Sequence, residues 1–338
     1  MKIGIVNDLP LAVEALRRAL AARHDYEVLW VAQDGQQAVD FCSAQRPDIV
    51  LMDLVMPNVD GIEATRRIMA KAPCAILIVT VDVGANAWRV YEAMGAGALD
   101  AVDTPSLSGP DAHKSIATLI AKIDSIAALV TERSAPGAAA AAAPRSATNR
   151  DTPLVAIGAS AGGPSALATL LAGLPKDFPA AIVVVQHVDA TFAAGMADWL
   201  NQQSALPVRI ASEGDRPQAG VVLLAATDDH LHLRLPNVLG YTAEPAETPY
   251  RPSVDVFFHS VVARWPARAI GVLLTGMGRD GAIGLKAMRT KGYHTIAQDE
   301  ATSAVYGMPK AAAALDAAAA ILPLPRIAAA LATAVGTR

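Results

Sequence analysis

The sequence predicts an α/β protein built from two doubly wound parallel sheets, one in each half of a 338-residue chain. Three observations predict this class. Short apolar runs that suit buried strands alternate with segments whose apolar residues recur at helical spacing. The alternation occurs on both sides of one stretch that has no amphipathic pattern. The chain is also long enough for two domains, each with its own hydrophobic core.

The N-terminal half contains five apolar runs that read as strands, each followed by a helical pattern. The predicted strands are Ile3–Val6, Val28–Ala32, Ile49–Leu54, Ile76–Thr80 and Leu99–Val102. A last helical pattern runs from Ile116 to Val130. Five such units indicate a single five-stranded parallel sheet, for which the flavodoxin-like strand order is a common solution.

Residues 131–152 separate the two halves. They contain Pro, Ser, Thr and six consecutive alanines without amphipathic spacing, which is typical of a linker. Four more predicted strands follow it: Leu154–Ile157, Ala181–Gln186, Val221–Ala225 and Ile270–Thr275. We therefore expect one domain over residues 1–130, a linker over 131–152 and a second doubly wound α/β domain over 153–338.

The composition excludes several function classes. A net charge of -4 without any run of Lys and Arg argues against a nucleic-acid surface. The two cysteines, Cys42 and Cys74, lie in apolar settings, which favours a reducing compartment over a disulfide scaffold. No apolar run is long enough for a signal peptide or a membrane span. We therefore expect a cytoplasmic, monomeric protein without nucleic-acid binding or membrane insertion.

Polar side chains follow three of the predicted strands in the N-terminal half. Asn7 and Asp8 follow the first strand, Asp53 ends the third and Thr80 ends the fourth. These residues should converge, because functional groups of parallel sheets collect at the carboxyl ends of the strands. Two carboxylates with water suit Mg²⁺, and an Asp beside it can attack a phosphoryl group. Any one of these acids alone would more often be a solvated loop residue.

Residues 1–125 resemble the response-regulator receiver family. The segment LMDLVMPNVDG at positions 51–61 is similar to the phosphoacceptor segment of that family. The resemblance implies that Asp53 accepts the phosphoryl group and that Asp8 and Asp53 hold Mg²⁺. It also implies that the hydroxyl of Thr80 contacts a phosphoryl oxygen.

Three positions depart from the receiver pattern. Asn7 stands where an acid is usual, Thr104 where a Lys is usual and Ala101 where an aromatic side chain often completes the switch. The missing ammonium removes a cation that would pair with the phosphoryl group. Phosphorylation of Asp53 remains the prediction, whereas its lifetime and its transmission stay open.

A candidate nucleophile lies in the C-terminal half. The segment 158–162, Gly-Ala-Ser-Ala-Gly, fits the Gly-x-Ser-x-Gly pattern of a nucleophile elbow, with Ser160 at its centre. The N-terminus of the following helix supplies N–H groups that suit an oxyanion. Similar turns bind nucleotide phosphates or merely join a strand to a helix. The glycine spacing, however, does not fit G-x-G-x-x-G, and the Lys-Ser/Thr of a P-loop is missing.

A nucleophilic serine needs a base and an acid that orients the base. His187 ends the next predicted strand after Ser160, and Asp280 lies in a glycine-rich turn after the last one. Both should lie at the same sheet edge as Ser160. Three other histidines stay open as the base: His230, His232 and His259. The chain order Ser, His, Asp differs from that of α/β-hydrolases, which indicates a different fold.

Ordered motifs across residues 153–325 resemble the CheB family of receiver-linked protein-glutamate methylesterases. The motifs are Ile157–Gly163, Gln186-His187, Arg251–Phe258, Leu274–Gly281, Thr295–Thr302 and Tyr306–Pro309. The resemblance implies that Ser160 is the nucleophile, His187 the base and Asp280 the orienting acid. Backbone N–H groups near Ser160 and Met277 would form the oxyanion site. The implied reaction hydrolyses glutamyl methyl esters in chemosensory adaptation, and deamidation of receptor glutamines stays open.

The resemblance also implies partners and cofactors. The substrate would be the cytoplasmic helices of methyl-accepting chemoreceptors, and the phosphodonor would be a CheA-type histidine kinase. Mg²⁺ would serve the receiver, and the esterase reaction would need no cofactor. The segments MKIGIVND, AILIVTVD and VDTP are more similar to the Wsp-type branch, which controls a second messenger rather than flagellar rotation.

Two other interpretations stay open. The second domain could act as a binding module that docks on receptors without chemistry. A transcriptional output is disfavoured because no recognition-helix pattern or basic bias is present. The segment Arg251–Asp255 either lines a receptor-binding surface or begins a helix, with Pro252 in the first turn and Ser253 near the cap.

Overall fold

The computed structural model describes residues 1–83, 86–106, 112–131, 152–248 and 250–336. The chain divides into two compact units, Met1–Pro136 and Gly137–Arg338. Nearly all of the predicted linker at 131–152 lies outside the described residues, so the domain boundaries at 130 and 153 stay predictions. None of the helices in the described part of the chain combines the length and apolar composition that a membrane span requires.

The first unit is a five-stranded parallel sheet with helices on its faces. Its elements are β1 Lys2–Val6, α1 Pro10–Leu20, β2 Glu27–Ala32, α2 Gly35–Ala44, β3 Ile49–Met52, α3 Gly61–Lys71, β4 Ala75–Thr80, α4 Ala87–Gly95, β5 Asp100–Asp103 and α5 Ala112–Thr131. The strand order β2-β1-β3-β4-β5 confirms the predicted flavodoxin-like sheet. The central strands β3 and β4 are fully buried because helices cover both faces.

Strand β3 is shorter than the predicted run Ile49–Leu54. It ends at Met52, and the side chain of Asp53 accepts a hydrogen bond of 2.7 Å from the N–H of Leu54. The N–H of Asp53 still donates to the carbonyl of Val6 on β1 at 3.0 Å. Asp53 therefore lies just beyond the strand end.

The second unit has a seven-stranded sheet and a separate hairpin. Its elements are β6 Leu154–Ala159, α6 Gly163–Ala172, β7 Ala181–Gln186, α7 Ala190–Gln203, β8 Val208–Ile210, β9 Val222–Leu224, β10 His230–Leu235, β11 Val238–Thr242, α8 Val254–Arg264, β12 Ala269–Leu273, α9 Ala282–Thr290, β13 His294–Gln298, α10 Met308–Ala314, β14 Ala320–Leu322 and α11 Leu324–Gly336. The order β14-β13-β12-β6-β7-β9-β8 is parallel throughout. The predicted doubly wound sheet is confirmed.

The order of this sheet places a switch point at β6. The chain leaves β6 toward β7 on one side and later returns to the other side of β6 as β12. Loops diverge above such a point and open a crevice at the carboxyl ends of the strands. Ser160 follows β6 directly and therefore lies at the crevice.

The predicted elements do not include β8, β13 and β14, nor the antiparallel hairpin of β10 and β11. Its signal is the alternation of Leu231, Leu233 and Leu235 with polar residues. Leu231 and Leu233 are buried, and the N–H of Leu233 donates to the hydroxyl of Ser260 on α8 at 2.9 Å. The hairpin therefore supports the helix whose N-terminus reaches the candidate site.

Candidate active site

Ser160 lies in a tight turn between β6 and α6. Its N–H donates to the carbonyl of Thr275 at 3.0 Å, and its carbonyl accepts from the N–H of Gly163 at 2.7 Å. Gly162 has a φ of 73°, in the left-handed region that favours glycine. The segment 158–162 therefore has the strand-turn-helix geometry that the elbow pattern predicts.

The turn that follows β12 packs directly against Ser160. A Cβ atom on Gly276 would lie 2.8 Å from the Cβ of Ser160 and 2.2 Å from the sulfur of Met308. Only glycine allows this approach of the two strand ends. Two hydrogen bonds also hold this turn. Thr275 donates its N–H to the Gln298 side chain at 2.8 Å, and Gly276 donates its N–H to the Val305 carbonyl at 3.0 Å. The motifs at 295–302 and 306–309 thus support the turn.

His187 lies beside Ser160 on the neighbouring strand end. Ala159 pairs with Gln186 in the ladder, and the N–H of His187 donates to the Ala159 carbonyl at 3.1 Å. The buried amide of Gln186 donates to the carbonyls of Ser160 at 2.8 Å and His187 at 3.1 Å. Gln186 therefore ties the two candidate residues together, a role that its motif alone did not indicate.

The structure joins His187 to Asp280. The imidazole Nε2 lies 2.8 Å from the Asp280 carboxylate, and the two side chains are 13% and 3% exposed. A carboxylate only accepts, so Nε2 carries the proton and Nδ1 is left with a free lone pair. Between described residues, the hydroxyl of Ser160 makes no hydrogen bond to His187. The structure thus shows the candidate base and the candidate acid in contact, with the candidate nucleophile on the adjacent strand end.

The Asp280 carboxylate sits at the N-terminus of α8. It accepts hydrogen bonds from the hydroxyl of Ser253 at 2.8 Å and from the N–H groups of Val254 at 2.6 Å and Asp255 at 3.1 Å. Burial alone would raise the pKa of Asp280. The hydrogen bond and charge of His187, with the N–H groups of Val254 and Asp255, outweigh burial and hold that pKa below its ordinary value.

Asp255 mirrors this arrangement. Its carboxylate accepts from the N–H of Gly284 in the first turn of α9 at 2.6 Å. Asp280 lies just before α9 and accepts N–H groups at the start of α8. Asp255 lies in the first turn of α8 and accepts an N–H group at the start of α9. Burial, with the nearby Asp280 charge, raises the pKa of Asp255 to about 6. The reciprocal caps lock the two helices, and with them Asp280, in one arrangement.

Ser253 is the N-cap of α8 and accepts from the Val256 N–H. This favours the helix-start interpretation of the segment 251–255. Pro252 precedes the cap, however, and does not lie in the first turn. The hydroxyl of Ser253 also donates to Asp280, so the segment supports the site from within.

Two backbone N–H groups are candidates for an oxyanion site. Ser160 cannot supply its own N–H, because that group is bonded to Thr275. Within the described parts of the chain, the N–H groups of Ala161 and Met277 have no hydrogen-bond acceptor. They belong to the two turns that meet at Ser160, and the oxyanion role of the Met277 N–H stays a prediction. Unpaired N–H groups in such a place suit a developing negative charge.

Between described residues, none of the other three candidate histidines makes a hydrogen bond to Ser160 or Asp280. His230 is completely buried, its Nδ1 accepts from the N–H of Ser253 at 3.0 Å, and its Nε2 bonds the Pro245 carbonyl at 3.2 Å. Both ring nitrogens are therefore engaged. His232 lies on β10 and His259 is exposed on α8, and neither has a hydrogen bond to a candidate residue.

The strand ends of the first unit bring the receiver residues together. Asp53 is 8% exposed and Thr80 is 2% exposed. Burial, together with the charge of Asp8, raises the pKa of Asp53 to about 6. A buried carboxylate with a second negative charge nearby fits a divalent cation, which would neutralise that charge. No set of three or more metal-ligating His, Cys, Asp or Glu side chains occurs among the described residues.

The three departures from the receiver pattern lie at this edge. Asn7 is buried, and its side-chain oxygen accepts from the N–H of Leu9 at 2.8 Å. The N–H of Thr104 donates to the carbonyl of Thr80 at 2.8 Å. Ala101 is buried on β5, opposite Ile78 of β4. Its methyl group is too small to change position together with the Thr80 hydroxyl, as an aromatic ring at this position would.

Replacement of Asp53 by Asn is expected to stabilise the first unit at neutral pH without Mg²⁺, by an amount on the order of 2 kcal/mol. The folded-state pKa of about 6 exceeds the ordinary value of 3.8. Ionisation therefore costs stability fully above pH 6, and the cost disappears as the pH falls toward 4. The measurement is thermal unfolding between pH 4 and 8, with and without Mg²⁺.

Two features would distinguish this result from a general effect of the amide. The advantage of the Asp53→Asn protein should shrink when Mg²⁺ is added, because the cation relieves the same repulsion in the wild type. Asp40→Asn, at an exposed position of α2, is the matched control and should change little. A less stable Asp53→Asn protein at pH 7.5 would contradict the strained-carboxylate interpretation.

The fold and these sites define a class: a receiver domain joined to a hydrolase with a serine at a strand-to-helix elbow. Residues 155–331 match the family model described as CheB methylesterase, and residues 3–116 match that of the response regulator receiver domain. The chain belongs to the CheB methylesterase family. It is a methylesterase with a response-regulator receiver domain, as the sequence motifs predicted.

Named relatives agree with this assignment. The chain is 70% identical over 320 residues to the "Protein-glutamate methylesterase/protein-glutamine glutaminase 4" of Burkholderia thailandensis, covering 94% of this chain and 93% of the relative. It is 69% identical over 320 residues to protein 2 of that name in Burkholderia pseudomallei, with the same coverage. The crystal structure of the Thermotoga maritima CheB methylesterase catalytic domain matches with a TM-score of 0.53 and 34% identity. It covers 55% of this chain and 100% of that one. The Wsp-type branch stays a prediction.

Proposed function

We propose that Ser160, His187 and Asp280 hydrolyse glutamyl methyl esters on the cytoplasmic helices of a chemoreceptor. The observation that carries the proposal is the contact of His187 with Asp280 beside a serine elbow at the switch point of the sheet. The family membership supplies the ester chemistry. We further propose a cytoplasmic enzyme, for which a monomer remains the expectation.

In the first half of the reaction, Nδ1 of His187 takes the proton of Ser160 as its oxygen attacks the ester carbonyl. The N–H groups of Ala161 and Met277 stabilise the oxyanion of the tetrahedral intermediate. His187 then returns the proton to the leaving oxygen, and methanol departs. Asp280 stays ionised, holds the imidazole tautomer and stabilises the imidazolium.

In the second half, water attacks the glutamyl ester formed with Ser160. His187 again accepts and returns a proton, and a free receptor glutamate results. The same sequence applied to glutamine expels ammonia in place of methanol. Since the curated relatives carry the name glutaminase, we include receptor deamidation in the proposal.

The test uses a methylated receptor fragment that contains both glutamyl methyl esters and glutamines. Mass spectrometry should show conversion of both to glutamate by the wild type. Loss of esters with intact glutamines would limit the proposal to methylesterase activity. Hydrolysis of small esters alone, with an unchanged receptor fragment, would contradict the proposal that a chemoreceptor is the substrate.

We also propose that a CheA-type histidine kinase phosphorylates Asp53. Asp8 and Asp53 would hold Mg²⁺, and the buried Thr80 would supply a hydroxyl to the phosphoryl group. Bound Mg²⁺ neutralises charge on the phosphoryl oxygens. The raised pKa of Asp53 and the charge of Asp8 support this donor set. Thr104 supplies no cation, so we expect a weaker hold on the phosphoryl group than a lysine would give.

The receiver is proposed to suppress the esterase activity until Asp53 is phosphorylated. Removal of residues 1–150 is therefore expected to raise basal demethylation several-fold. A small-molecule phosphodonor with Mg²⁺ should activate the wild type but not Asp53→Asn. Equal specific activity of the truncated and complete chains would sink the gating proposal.

A further inference from the structure

The ring of Tyr250 lies flat against the imidazole of His187. The ring centroids are 4.8 Å apart, and the planes differ by 4°. No sequence motif pointed to this contact, because Tyr250 lies 63 positions from His187 in the chain.

Tyr250 belongs to the loop between β11 and α8, and this loop is held at several points. The guanidinium of Arg251 donates to the carbonyls of Ala243 at 3.1 Å and Ala246 at 3.0 Å. The buried His230 bonds Pro245 near the start of the loop and Ser253 at its end. These hydrogen bonds hold the loop, and with it Tyr250, in place.

The turn that carries Met277 leaves room for the tyrosine. Gly278 has a φ of 78°, and a Cβ atom there would lie 2.3 Å from the hydroxyl of Tyr250. The tyrosine thus spans from the His187 ring to the edge of the turn that bears the proposed oxyanion N–H. Its ring and its hydroxyl contact different parts of the site, so substitutions can separate them.

The hydrogen bond to Asp280 restrains only one corner of the imidazole. The ring is also attached through Cγ, but small rotations about χ1 and χ2 can still move Nδ1 relative to Ser160. A flat aromatic face removes this freedom. When His187 takes the serine proton, the face of Tyr250 also meets a developing positive charge, and aromatic faces attract cations. Both effects act on the step in which the charge forms.

We propose that Tyr250 is a positioning residue of the esterase reaction, which fixes the plane of His187 and stabilises its imidazolium through the aromatic ring. The proposal rests on the assigned roles of Ser160 and His187. It predicts that the ring matters and that the hydroxyl contributes little.

The test compares Tyr250→Phe with Tyr250→Leu in the complete chain. We expect Tyr250→Leu to lower kcat for receptor demethylation by about 10-fold to 100-fold, with KM nearly unchanged. Tyr250→Phe keeps the ring and should stay within about 3-fold of the wild type. The rate at which a phosphonate ester labels Ser160 should fall in parallel with kcat. Tyr293→Leu, a half-buried tyrosine of the same unit, is the control for lost packing.

The outcomes are distinguishable. Wild-type kcat in Tyr250→Leu would overturn the proposal, and so would equal losses in Tyr250→Leu and Tyr250→Phe, because the hydroxyl would then be the active part. If Tyr250→Leu does not fold, Tyr250→Met replaces it under the same criteria. Ser160→Ala and His187→Ala are run beside them. Full activity in those two proteins would refute the assigned mechanism itself, not the role of Tyr250 alone.

Discussion

Replacement of Ser160 by Ala is expected to lower kcat for receptor demethylation by about 10³-fold or more. The hydroxyl is the only group at the elbow placed to attack an ester carbonyl beside His187. Its removal should cost little stability, because Ser160 contributes its N–H and carbonyl to the turn and alanine keeps both. The measurement is ester loss from a methylated receptor fragment, together with thermal unfolding to verify the fold.

Ser165→Ala is the matched control for this experiment. Ser165 lies on α6, one turn beyond the elbow, and its substitution should leave kcat within about 2-fold. The Ser160→Ala protein also separates an enzyme from a binding module. A docking protein would retain its pathway effect without the hydroxyl, whereas an esterase would lose it. Retention of more than about a tenth of wild-type kcat would refute the nucleophile assignment.

The five strands of the first sheet and the strands β6, β7, β9 and β12 of the second could be predicted from the sequence, whereas β8, β13 and β14 were missed. A strand such as β7, Ala181–Gln186, is buried on both faces and apolar up to its last residue, and this leaves a clear signal. The ends of the predicted strands then locate Ser160, His187 and Asp53. At β3 the predicted strand end was wrong by two residues, because the strand ends at Met52 and the Asp53 carboxylate bonds the N–H of Leu54.

The supporting residues of the site could not be predicted from local patterns. The contacts of Asp280 with Ser253 and of His187 with Tyr250 depend on how the loop before α8 crosses the sheet edge. That crossing is set by the hairpin of β10 and β11, whose signal was overlooked. The protonated nitrogen of His187 is likewise a consequence of where Asp280 lies. Sequence spacing contains no information on it.

Asp280 connects catalysis to the stability of the second unit. It orients His187 and at the same time satisfies the first N–H groups of α8. His230 also holds the start of α8, because its Nδ1 accepts the N–H of Ser253. A change at this carboxylate should therefore appear in two separate measurements.

Replacement of Asp280 by Asn is expected to lower kcat by about 10³-fold and to destabilise the second unit by about 1–3 kcal/mol. The carboxylate accepts from four donors, whereas an amide has one oxygen and one NH₂ group. If the oxygen faces α8, the NH₂ faces Nε2 and stabilises the tautomer with the proton on Nδ1. That tautomer cannot accept the proton of Ser160.

The stability part of this prediction has a pH dependence with a definite sign. The pKa of Asp280 is depressed in the folded protein, so its ionised form contributes stability above the ordinary value of 3.8. The contribution disappears as the pH falls through the depressed pKa. The gap between wild type and Asp280→Asn should therefore be full at neutral pH and narrow on acidification. Thermal unfolding at pH 7 and at pH 3 to 4 measures it.

Asp255→Asn separates the effect of Asp280 from the loss of any buried carboxylate nearby. Asp255 caps α9 and already has a pKa raised to about 6, so a neutral amide should not destabilise the fold at pH 7. Its side chain makes no hydrogen bond to His187, and kcat should stay close to that of the wild type. Equal losses of kcat in both variants would mean that the helix caps, rather than the tautomer of His187, control the reaction. A loss confined to Asp280→Asn would instead identify the hydrogen bond to Nε2 as the contact that makes Nδ1 a base.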